Sequence, residues 1–260
     1  MAPHFFHRHL ILLQEIIPLQ GSREFFSTFE VLIQLAAVMA VVQQFALRLW
    51  PLGRRKKGSG FYLKEDKAIL IGKILLACIP AAVFGLALDD FLDQHLYNGF
   101  VVSLMLILYG IFFLLVEKRN ENKTFQINRV EDLSWTLAFQ IGLFQCLALI
   151  PGTSRSGATI IGAMLLSVGR VAATEFSFFL SVPVMAGASL VKLIKHGGNF
   201  TAAEWFALIF AMVLTYFVSI YCIRFLLRYI RNHDFKVFAY YRIIFGGIVL
   251  LWFVVSRFLL

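Results

Sequence analysis

The chain has 260 residues, is 60% hydrophobic with a mean hydropathy of +0.79, and carries only 15% charged residues. A soluble domain of this size holds more charge, so the surplus apolar surface calls for a lipid solvent. The net charge of +9 sits in short loops between apolar runs, where it reads as a topology signal, and no basic face is large enough to track a nucleic acid.

A hydrocarbon core of about 30 Å takes roughly 20 mostly apolar residues as a helix. The opening stretch, Met1 to Gln20, has no small-residue cleavage site and is not expected to be a signal peptide. Its apolar part, Leu10 to Ile17, is too short to span. Apolar runs then extend from Thr28 to Leu49, Ala68 to Leu88, Gly99 to Val116, Leu133 to Ile150, Thr174 to Ile194, Ala203 to Leu227 and Val237 to Leu260. The fold class that follows is an all-α, polytopic integral membrane protein with about six full spans and at least one re-entrant pair. It is expected to form a single membrane domain over residues 1–260, with the transmembrane bundle in 27–260. Ser27-Thr28 read as the cap of the first span. Cys78, Cys146 and Cys222 are scattered, which excludes a disulfide framework and zinc spacing.

The loops assign sides. Arg48, Arg54, Arg55, Lys56, Lys57, Lys64 and Lys67 place the loop after the first span in the cytoplasm. Asp89 to Gln94 carries no Lys or Arg and is expected as an external loop. Lys118, Arg119, Lys123 and Arg129 return the chain to the inside, and Arg224, Arg228, Arg231 and Lys236 mark a last cytoplasmic loop. Leu133–Ile150 and Ser154–Val168 therefore make either two crossings or a re-entrant hairpin. The polar turn between them favours the hairpin, because irregular backbone at membrane depth needs protein or a wet cavity around it. A weak internal repeat, Glu30-VLIQL followed by AAVMAVV and Glu175-FSFFL followed by SVPVMAGA, is compatible with an inverted-repeat architecture. Trp50, Trp135, Trp205 and Trp252 near span ends are expected to be interface anchors, and Lys192 and Lys195 to snorkel.

The segment Pro151-Gly152-Thr153-Ser154-Arg155-Ser156-Gly157-Ala158-Thr159 concentrates the polar chemistry. Arg155 offers a planar fork of donors suited to phosphate oxygens. Gly152 and Gly157 let backbone amides approach an anion, and Thr153, Ser154, Ser156 and Thr159 add hydroxyls. A helix starting near Gly157 would turn its positive end to the same place. The alternative is an Arg155 that merely pairs with a buried Glu175 or Glu30.

PGTSRSGAT resembles the PGxSRSxxT signature of the undecaprenyl-diphosphatase family, known also for bacitracin resistance. FQCLALIPGTSRSGATIIGAMLLSVGRVAATEFSFFLSVPVMAG, TFEVLIQLAAVMAVV and HDFKVFAYYRIIFG are similar to that family as well. The resemblance implies a bacterial plasma-membrane enzyme that hydrolyses undecaprenyl diphosphate to the monophosphate in cell-wall lipid recycling. It further implies a pocket open to the outer face, a divalent cation such as Mg²⁺ or Ca²⁺, a polyprenyl diphosphate lipid as partner, and compatibility with a homodimer. Arg155, Ser154, Ser156 and His9 would be catalytic, and Gly152, Thr153, Gly157 and Thr159 would bind substrate.

The family's other signature carries paired glutamates and a Ser-Ser-Thr run before a Gly-His. Here only His9-Leu10-Ile11-Leu12 corresponds to its end, with Arg8 in place of the glycine, and Glu15 follows the histidine. Residues 1–26 are thus expected to be a remnant of a first re-entrant motif, with no metal ligands identifiable. On these grounds the chain is expected to bind a polyprenyl diphosphate but hydrolyse it poorly, which admits a non-catalytic lipid-phosphate binder or transporter as the alternative. Glu30 reads as a structural partner of Arg155 before a catalytic group.

Overall fold

The computed structural model describes residues 23–54, 61–96, 98–196 and 200–259. Helices dominate: α1 (Arg23–Gln44), α2 (Glu65–His95), α3 (Gly99–Asn120), α4 (Trp135–Cys146), α5 (Arg155–Leu165), α6 (Arg170–His196), α7 (Ala202–Asn232) and α8 (Lys236–Leu259). Leu52–Arg54 pairs antiparallel with Phe61–Leu63 in a two-stranded ribbon between α1 and α2. The protein is an all-α polytopic membrane protein.

Four helices are long and apolar enough to cross a bilayer: Glu65–Leu88, Gly99–Asn120, Ala202–Asn232 and Lys236–Val255. Phe206, Phe210, Val213, Phe217 and Tyr221 are exposed at helical spacing along α7, and Ile244, Ile248, Leu251 and Trp252 along α8. Such stripes are unstable in water and suited to acyl chains. The run Leu133–Ile150 does not form a span. Its helix stops after 12 residues at Cys146 and passes through a 3₁₀ turn, Leu147–Leu149.

Two sequence expectations are corrected. Asp89 to Gln94 is not a loop but the end of α2, which runs to His95. Ser27-Thr28 does not cap α1, because that helix starts at Arg23 and Thr28 is fully buried inside it.

The described residues divide into two compact units. In one, which includes Phe178–Leu226, Phe25, Leu32 and Leu208 form a buried cluster joined by Phe29, Phe200 and Trp205. Trp205 packs against Phe200 at 5.6 Å and so belongs to this cluster, whereas Trp50, Trp135 and Trp252 are exposed. Ser189 Oγ donates to Val31 O at 3.2 Å, and Arg224 Nε to Gln44 Oε1 at 2.9 Å.

The other unit comprises Ile69–Ser177 and Leu227–Leu260. Helix α3 packs along α8, close enough at Gly110 that a Cβ there would lie 2.6 Å from Ile243 Cγ1 and 2.8 Å from Ala239 O. Small residues at such crossings let backbones approach where hydrophobic forces between helices are weak. Beside this pair, α4 and α5 form a hairpin. The chain entering it and the chain leaving it meet in a bridge between Ile127 and Val168. Asn120 Nδ2 donates to Met164 O at the same end.

That end is tied by a buried ion pair. Glu117 is 1% exposed and accepts both Arg170 Nε, at 3.0 Å, and Phe235 N, at 2.9 Å. One carboxylate thus joins α3, the start of α6 and the entry to α8. Donating hydrogen bonds to the Glu117 carboxylate raises the pKa of Arg170 above its ordinary value, against the opposing effect of burial.

Candidate functional site: the turn of the re-entrant hairpin

The PGTSRS turn lies at the tip of the hairpin, at the end of α3 opposite Glu117. Gly152 adopts φ +89°, a conformation that side chains disfavour. A Cβ on it would stand 2.5 Å from Val102 O, in the first turn of α3. Backbone shape and close approach therefore both require glycine here.

Ser154 is the N-cap of α5, and its Oγ accepts from Gly157 N at 3.2 Å. Ser154 Oγ also lies 3.0 Å from Ser156 Oγ. Two hydroxyls hold two protons, and one is spent between them. The other is left to face a ligand. The cap relieves one orphan amide, while the helix dipole still presents a positive end at the turn.

Thr159 does something else. It is 1% exposed and its Oγ1 sits 2.8 Å from Ser177 Oγ and 3.0 Å from Arg155 O. It fastens α5 to α6. Gly157 packs near Phe113 of α3, and Thr153 is buried with an unbonded Oγ1. His9 lies outside the described residues, with His4, His7 and Glu15. The side chain of Glu30 is likewise outside what is described.

Two cations belong to the turn. Arg155 has a buried Nη1 with no hydrogen-bond partner. No described carboxylate pairs with it, so Glu175 does not act as its counter-charge. Arg242, six residues into α8, donates from Nη2 to Gly152 O at 3.1 Å and stacks 5.8 Å above the Tyr109 ring. The sequence held one signal for Arg242, a lone guanidinium inside an apolar span, but not its destination.

Among the described residues, six buried side-chain polar atoms lack a hydrogen bond. Five of the six belong to the hairpin or to the arginine bonded to its turn: both amide atoms of Gln145, Thr153 Oγ1, Arg155 Nη1 and Arg242 Nε. Buried donors left unpaired cost about 1–3 kcal/mol each, and a buried charge more. Such groups suit a polar ligand, and the two guanidinium groups among them suit an anion. The same groups do not fit a divalent cation. Among the described residues no cluster of three His, Cys, Asp or Glu could hold a metal ion, so no step is routed through one here.

The profile of the family described as bacitracin resistance protein BacA matches residues 7–248. A protein of Enterococcus faecalis named undecaprenyl-diphosphatase is 48% identical over 243 residues, 94% of this chain and 88% of its own length. One of the same name from Lachnoclostridium phytofermentans is 46% identical over 249 residues, covering 96% of this chain and 90% of that protein. With the PGTSRSG turn inside the matched stretch, these similarities place the chain in the bacitracin resistance protein BacA family.

Proposed function

We infer that the chain is a membrane hydrolase that converts undecaprenyl diphosphate to undecaprenyl phosphate and inorganic phosphate. The observation that carries this reading is Arg155, a buried guanidinium at a helix N-terminus with hydroxyls beside it and no described carboxylate to neutralise it. Relatives matched along nearly the whole chain bear the name undecaprenyl-diphosphatase, which disfavours the binding-only alternative.

Arg155 grips the phosphate with two parallel donors, and its charge offsets the negative charge that builds on the oxygens as a water oxygen bonds to the terminal phosphorus and the bridging P–O bond breaks, with undecaprenyl phosphate leaving. The remaining hydroxyl proton of the Ser154–Ser156 pair donates to a phosphate oxygen. The first amides of α5 add positive potential. Arg242 holds Gly152 and with it the shape of the turn. A low-dielectric surround strengthens each of these contacts. The diphosphate head enters from the outer face of the bacterial plasma membrane, because the turn lies beside Val102, at the end of α3 away from Lys118 and Arg119. A divalent cation of the kind the family resemblance implies would need ligands beyond the described residues.

The test is release of inorganic phosphate from farnesyl diphosphate by the purified chain in detergent, with Mg²⁺ or Ca²⁺ added. The parent chain should release phosphate and Arg155→Ala should not. A parent chain that binds the lipid without releasing phosphate would return the reading to a non-catalytic binder.

A further inference from the structure

Gln145 lies in the last turn of α4 and is 2% exposed. Neither its Nε2 nor its Oε1 makes a hydrogen bond of normal geometry. Its turn of α4 packs against α2 beside Cys78, since a Cβ on Gly142 would stand 2.3 Å from Ala77 O, and Arg155, whose Nη1 is also buried and unbonded, opens α5 on the other side of the hairpin turn. Two unsatisfied polar side chains from different helices therefore stand on either side of the hairpin turn. An unpaired buried amide burdens the fold, and an apolar side chain of the same length would avoid that penalty. The Gln145 Nε2 calls for an acceptor that the described residues do not supply.

We propose that Gln145 is a phosphate-binding residue: its Nε2 donates to an oxygen of the phosphate that Arg155 clamps, while the Cys78 thiol donates to its Oε1. The assignment rests on reading this turn as a phosphate pocket. The thiol proton decides which way the amide faces, since an Oε1 turned toward the anion would repel it. The amide's neutrality also matters. A carboxylate at this position would pair with Arg155, cancel its charge and occupy the place of the ligand.

The full chain in detergent is titrated with farnesyl diphosphate by calorimetry, beside Gln145→Met and Gln145→Glu, and each protein's melting temperature is measured. Gln145→Met should melt no lower than the parent yet bind about 10- to 100-fold more weakly, the loss expected for one hydrogen bond to a charged group. Gln145→Glu should stay folded and lose binding. Parent-like affinity in either variant overturns the inference while leaving the pocket intact. A lower melting point for Gln145→Met overturns it whatever the affinity, because the amide is then structural. A parent chain that does not bind farnesyl diphosphate overturns the phosphate pocket and this inference together.

Discussion

Ile127 and Val168 form a parallel bridge that joins the segment entering the α4–α5 hairpin to the segment leaving it. Gln126 N donates to Ser167 O at 3.2 Å, and Gly169 N to Ile127 O at 2.7 Å, on either side of that bridge. Chain that pairs in this way lies on one side of the membrane, so the hairpin returns to the face it left. At about 1.5 Å per residue the 11 residues of α5 reach only about 17 Å. Two full crossings are therefore excluded, and the polar tip ends inside the protein.

Sidedness is tested by labelling. Single cysteines at Gln126 and Ser167 should react with a membrane-impermeant maleimide only from the cytoplasmic side, together with one at Lys64. A cysteine at Leu96 should react only from outside. Opposite labelling of positions 126 and 167 would break the hairpin assignment; inversion of all four would reverse the orientation drawn from the Lys and Arg asymmetry.

Replacing Arg155 by Lys preserves the charge and removes the fork. A hydrogen bond to a charged group contributes about 1.5–3 kcal/mol, so binding of farnesyl diphosphate should weaken roughly 10- to 150-fold. Equal affinity in the Lys variant, measured by titration calorimetry, would make Arg155 a structural residue.

Gly152→Ala meets two obstacles at once, the φ of +89° and the Val102 carbonyl. Backbone strain of this kind costs about 1–3 kcal/mol before the clash is counted. The variant should lose most of its phosphate release while keeping its helical circular dichroism. Full activity would mean that the turn is free to take another shape.

Glu117→Gln leaves Arg170 without its charge partner and weakens the acceptor of Phe235 N. Removing one member of a buried pair costs about 3–5 kcal/mol, and the low end applies because the Arg170 side chain keeps 26% exposure. The melting temperature in detergent should fall by several degrees, with affinity for farnesyl diphosphate little changed. A drop in affinity with no loss of stability would place Glu117 in the binding path instead.

Composition and local order were enough to read the membrane class, because hydropathy over a span is a property of consecutive residues. The same holds for PGTSRSG: a polar, glycine-bearing turn between apolar helices announces a buried site wherever the helices lie. The sequence could not show that Thr159 turns its hydroxyl to Ser177, that Asp89 to Gln94 continue a helix, or that Trp205 packs with Phe25 and Phe200. Those outcomes depend on which face of each helix meets a neighbour. Arg242 reaches the turn for the same reason: α8 packs on α3, and only that packing brings its Nη2 to Gly152 O. The charge on Arg155 is written in the sequence, but its lack of a described counter-ion, and so its fitness for an anion, is a property of the packed structure.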